Sequence, residues 1–158
     1  MPAILQAPAP LLAKQWRTTW ERAKATLPAA TIVCGSAFAW LASREDRSTN
    51  AFRLYLASAI LLPSTLPYTA LLLGPINAKL VQKSDDLAAT AITDASAEAG
   101  VTKEETVHAL VDKWATLNLG RALLSVAAAM TAMWATLNPV EIVAASGVTV
   151  ATGANRIS

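Results

Sequence analysis

Three long stretches of this chain carry no charged side chain: residues 25–43, 54–78 and 122–140, or 19, 25 and 19 positions. A helix needs about 20 mostly apolar residues, at about 1.5 Å each, to cross a bilayer. All three stretches come close to that length or exceed it, and the charges crowd at their edges. Their apolar segments read as 27–42, 52–73 and 119–137. The competing reading is a soluble bundle of buried, alanine-rich helices. That reading would need most outward helix faces to be polar, and three charge-free windows leave too few polar residues to cover them. The expected class is therefore all-α: a membrane helical bundle of about three transmembrane helices with interfacial helices beside them.

Composition agrees. Only 15% of the 158 residues are charged, against roughly 25% in ordinary soluble domains. The length fits one domain over residues 1–158. A net charge of +2 with no basic, aromatic-interleaved stripe excludes nucleic acid as a partner. Cys34 and His108 are the single cysteine and histidine, so neither an internal disulfide nor the usual zinc or haem spacings can form. No metal site is expected.

The segments between the windows differ in kind. Residues 1–26 hold Lys14, Arg17, Arg22 and Lys24 with Trp16 and Trp20, which suits a headgroup interface or an amphipathic surface helix. Residues 43–51 form a short charged connection. Residues 79–113 have mixed charge and helical period. Gly100 closes one helical stretch there, and a Thr102–Glu105 capping box starts another near Lys103 that runs through Trp114 into the third window. With three crossings, residues 1–26 and 79–113 share a side. That side carries seven Lys or Arg against four opposite, which favours it as cytoplasmic. Residues 138–158 are mildly apolar and support no assignment.

Three constellations could carry chemistry. Pro63 and Pro67 lie four apart in the second window, among Ser64, Thr65, Tyr68 and Thr69. They predict a kinked span that is either repaired by those hydroxyls or opened into a pocket lined by Tyr68 and Thr69. In Gly74-Pro75-Ile76-Asn77, Pro75 stops one helix or begins the next, and Asn77 suits a cap. Trp114, Asn118, Arg121 and Ser125 recur at i, i+4, i+7 and i+11, which is one helix stripe. Arg121 at a span mouth either snorkels to phosphate or faces an anionic group in a pocket. His108 lies six residues before Trp114 and points to another face.

Taken in order, these motifs resemble the anthrone oxygenase family: Pro67-Tyr68-Thr69, Pro75-x-Asn77-x-x-Leu80 and Trp114-x-x-Leu117-x-x-x-Arg121, preceded by Lys14-Gln15-Trp16-Arg17 and Pro28. The resemblance spans roughly residues 2–137. It implies a small integral, multi-pass membrane protein, typically of four spans and endomembrane in a fungus. It also implies a monooxygenase of secondary metabolism that oxidises polyketide anthrones to anthraquinones with molecular oxygen and no cofactor. The partners are then a polyketide-derived aromatic molecule, the lipid bilayer and, as a candidate, a second copy of the chain. Arg121 would stabilise the substrate anion. Tyr68, Thr69, Asn77 and Asn118 would meet substrate oxygens, and Trp16 and Trp114 would stack on its rings. The proton acceptor is either His108 or a water held by Asn118. The chain departs from the family in three places. Asn118 stands where histidine is frequent, Trp20 where tyrosine is expected, and Pro2-Ala3-Ile4-Leu5 matches only the end of the family's first span. A non-enzymatic membrane scaffold, with its tryptophans as interface anchors, is the alternative. A closed cavity beside Arg121 would favour catalysis, and an arginine pointing to lipid headgroups the scaffold.

Overall fold

The computed structural model describes residues 4–137 and is helical, with no strand among the described residues. Helix α1 spans Ala9–Arg44 and α2 spans Asn50–Tyr68; a π-type stretch over Thr69–Leu73 passes directly into α3, Gly74–Asp86. Helix α4 spans Val107–Leu137. Single 3-10 turns at Ile4–Gln6 and Lys103–Glu105 complete the chain. Three rods result: α1, the continuous Asn50–Asp86 run, and α4, each long and apolar enough to cross a membrane. At about 1.5 Å per residue they measure roughly 45–55 Å, well beyond a hydrocarbon core of about 30 Å.

The excess length gathers at one end. There the charged first half of α1, the whole of α3 and the start of α4 form a headpiece around Leu12, Trp16, Ile76, Leu80, Val107 and Val111. The windows expected at 27–42, 52–73 and 119–137 fall inside the three rods. Residues 9–26, expected as a separate interfacial segment, instead continue α1 without a break, with Pro28 inside the helix. At the far end Ala42, Ala51, Tyr55, Ala132 and Ala135 form a second cluster, tied by a 3.0 Å hydrogen bond between the Tyr55 and Thr136 hydroxyls. Between the clusters the rods meet through small residues. Ser58 and Ala128 are fully buried, and a Cβ added at Gly35 would stand 2.8 Å from Pro63 Cγ. Close approach through small residues is how helices associate where no hydrophobic drive acts between them. The outer faces are apolar instead: Ile32, Val33, Leu56, Ile60, Leu123, Met130 and Met133 are all exposed. An outside of that kind suits lipid and not water.

Local signals explain most boundaries. Thr49 caps α2 by accepting from the Phe52 N–H at 3.1 Å. Before it, Asp46 accepts from the Ser48 backbone N–H and hydroxyl, which hold its carboxyl below the usual range. Pro75 occupies the first turn of α3 directly behind the π-type stretch, so it withholds one backbone donor from the carbonyls of that stretch. Of the two roles expected for it, it begins a helix. Asn77 is not a cap, because the π-type stretch keeps the backbone helical through Gly74 and places Asn77 in the interior of α3.

The expected helical content of 79–113 holds to Asp86 and again from Val107. Residues 87–102 form successive turns, one closed by Asp94 accepting from Ser96 N–H and another by Gly100 at φ +88°. The Thr102 hydroxyl reaches the Glu105 carboxylate at 3.1 Å, yet α4 starts only at Val107. Its first N–H is bound by both carboxylate oxygens of Glu98, at 3.0 and 3.1 Å, and Lys83 Nζ lies 3.4 Å from the same group.

Candidate active site

A cavity of about 330 Å³ lies where the headpiece meets the charge-free lengths of the rods. That is at the lower end of the roughly 300–1,000 Å³ usual for small-molecule sites. Three rods wall it. Helix α1 contributes Trp20, Lys24, Leu27, Pro28 and Thr31. The kinked rod contributes Thr65, Leu66, Thr69, Leu73 and Asn77, and α4 contributes Trp114, Asn118 and Arg121. The α4 set is the stripe read from the sequence. The α1 set repeats its spacing: Trp20, Lys24, Leu27 and Thr31 also recur at i, i+4, i+7 and i+11. That signal identifies the α1 wall, but it becomes legible only once another helix is known to face it.

Each polar group on the wall has a defined state. The Asn118 amide nitrogen donates to the Trp114 carbonyl at 3.0 Å, which leaves the side-chain oxygen as an acceptor. Asn77 Oδ1 is buried and has no hydrogen-bond partner among the described residues. A buried acceptor without a donor costs free energy, so a ligand hydroxyl there would be favoured. The Thr69 hydroxyl is committed to the Thr65 carbonyl at 2.7 Å. Arg121 is half-buried, and its guanidinium has no carboxylate partner within ion-pair distance among the described residues. No Asp or Glu lines the cavity.

The kink does what its hydroxyls and prolines permit. Ser64, Thr65 and Thr69 donate to the Leu61, Leu62 and Thr65 carbonyls. Wider π-type winding follows Pro67 and turns Thr69, Ala70 and Leu73 toward the cavity. π-Type bulges inside α-helices recur at functional sites.

Three expected site residues lie outside the cavity wall. The Tyr68 hydroxyl donates to the Leu117 carbonyl at 3.0 Å and occupies the space that a side chain at Gly120 would need. Trp16 is buried in the headpiece core, stacked on Trp20 with ring centroids 5.8 Å apart and edge-on to Trp114 at 6.2 Å. It therefore backs the two tryptophans that line the cavity. His108 Nε2 meets the Ala7 carbonyl at 2.9 Å and faces a different depression formed by residues near Ala7 and Glu98. Its helical register turns it away from Trp114.

The wall can thus offer a flat aromatic ligand the edge or face of Trp20 and Trp114, whose planes stand close to perpendicular, receive its hydroxyls at Asn77 and Asn118, and set fixed positive charge against a developing anion. Comparisons with known proteins identify the family. The family model for anthrone oxygenase matches residues 16–131. An anthrone oxygenase of Aspergillus fumigatus, encC, is 29% identical over 147 residues, covering 87% of this chain and 80% of that protein. No solved structure matches. With the family match running across nearly three quarters of the sequence and over all three walls of the cavity, the chain belongs to the anthrone oxygenase family.

Proposed function

We propose that this protein oxidises a polyketide anthrone to the corresponding anthraquinone with molecular oxygen and without metal or flavin. We place it in the bilayer as a multi-pass protein. The observation that carries the reading is Arg121: a cation without an acidic partner, on the wall of an aromatic cavity instead of pointing away from it. The same observation weighs against a scaffold whose arginine serves only lipid phosphate.

The chemistry requires little from the protein. An anthrone bears an acidic C–H between two aryl rings. Loss of that proton leaves an anion whose charge lies mostly on the carbonyl oxygen. The anion gives one electron to oxygen; the radical pair recombines at carbon, and protonation yields a hydroperoxide. Loss of water forms the second carbonyl, so anthrone and one O₂ become quinone and one H₂O.

Arg121 stabilises the oxyanion, and such preorganised charge is usually the largest catalytic contribution in a water-poor site. Trp20 and Trp114 hold the rings. Asn77 accepts from a phenolic hydroxyl. The Asn118 oxygen holds the water that takes the proton, a role left to it because His108 bonds elsewhere.

The test is oxygen-dependent turnover of emodin anthrone by the purified protein in detergent. The expected result is one O₂ consumed per quinone, at a rate well above the protein-free blank. A rate equal to the blank would end the proposal.

A further inference from the structure

The kinked rod leaves one backbone acceptor without a donor. In an α-helix the Ala70 carbonyl would accept from the Gly74 N–H, but that N–H donates to the Thr69 carbonyl, as π-type winding requires. The π-type donor for Ala70 is residue 75, and Pro75 has no N–H. The nearby hydroxyls cannot stand in: Thr65, Tyr68 and Thr69 donate to the Leu62, Leu117 and Thr65 carbonyls. An unpaired carbonyl in a charge-free span is costly unless a cavity gives it a partner. Ala70 lines the cavity, and so do Gly74 and Asn77, one and two turns further along the rod. A helical carbonyl points toward the C-terminal end, here toward Gly74, which has no side chain to cover it. A Cβ at Gly74 would meet no side chain within 4 Å, so the space beside the carbonyl is open. Asn77 Oδ1, also buried and unpartnered among the described residues, belongs to the same wall. Two acceptors of different origin therefore face one ligand space from one rod.

We infer that Pro75 is a positioning residue of the site. By withholding an N–H it keeps the Ala70 carbonyl open, and that carbonyl receives a ligand hydroxyl beside the one at Asn77. The inference rests on the proposed function only for the aromatic nature of the ligand. A hydroxyl suits the place because it brings the donor that the rod lacks. A ring without that hydroxyl leaves the carbonyl unpaired, and sites built to bond a hydroxyl reject such analogues.

Binding tests this without turnover. Quenching of tryptophan fluorescence in a neutral detergent reports occupancy. The probes are 2,6-dihydroxyanthraquinone and unsubstituted anthraquinone, used on the acid side of neutrality so that the phenols stay protonated. The wild type should prefer the dihydroxy compound. Pro75→Ala should weaken that compound about tenfold, the scale of one hydrogen bond, and leave anthraquinone unchanged. Amide exchange in the ligand-free variant supplies a second readout. The N–H that Pro75→Ala introduces should be protected, because it takes the Ala70 carbonyl. A preference as large in the variant as in the wild type would overturn the inference. So would an equal weakening of both probes, which would mean that Pro75 acts through the shape of the rod, or free exchange of the introduced amide. Oxidation of emodin anthrone by the wild type is measured alongside. If the variant loses the preference but the wild type oxidises nothing, the oxygenase reading fails and the backbone acceptor stands. If the wild type oxidises the anthrone and the variant keeps the preference, the acceptor alone fails.

Discussion

Gly120 is a position where one methyl group decides the site's geometry. The Tyr68 hydroxyl sits against it while donating to the Leu117 carbonyl. A Cβ at residue 120 must push that hydroxyl away and strain its bond to Leu117. Overpacking of this kind costs about 1–3 kcal/mol. Gly120→Ala should therefore lower the thermal unfolding midpoint in detergent. Tyr68→Phe should lose only about 1 kcal/mol, the usual net value of one hydrogen bond. The double variant should be nearly as stable as Tyr68→Phe alone, because removing the hydroxyl makes the room. Strict additivity of the two losses would show that the contact is not the cause. The sequence placed Tyr68 in the right neighbourhood, but a hydroxyl's partner depends on the facing helix, and residue order does not reveal that helix. The same limit applies to the tryptophans. Trp16 and Trp20 lie one turn apart on the same face, and only the packing of α3 and α4 decides that the first is core and the second is wall.

At the scale of elements, charge-free windows located all three rods but not their ends. A window marks where lipid is tolerated, whereas a helix continues as long as its backbone bonds are satisfied. Hence α1 begins at Ala9, well before its apolar part, and α3 extends the second rod into the headpiece. The start of α4 was misread for a different reason. Thr102 and Glu105 have the spacing of a capping box, but the helix is capped by Thr106, which accepts from the Ala109 N–H, and by Glu98, nine residues before the N–H it binds and separated from it by turns. No local pattern encodes the Glu98 contact. Glu98→Ala should thus uncap α4 and release Lys83, at a cost of about 1–2 kcal/mol. Amide exchange over residues 107–110 checks it, with faster exchange expected there than in the Thr102→Ala variant. Equal exchange in both would leave the cap unexplained.

For the molecule as a whole, the headpiece supplies a water-exposed core and the rods supply an apolar exterior. The cavity sits at their junction, a position from which the proposed aromatic substrate would arrive from lipid and a proton would leave to water. That location was legible from the charges flanking the windows, since residues 74–79 and 114–121 had to fall at one face. The occupants of the α1 wall were not, because Lys24 and Trp20 read equally well as interface anchors. The account stands or falls on Arg121 facing a reacting anion. The direct measurement is kcat/KM for oxygen-dependent emodin anthrone oxidation by Arg121→Ala, using protein whose unfolding midpoint matches the wild type. A loss of about 100-fold or more is predicted, as when a preorganised oxyanion donor is removed. Oxidation at the wild-type rate would contradict it.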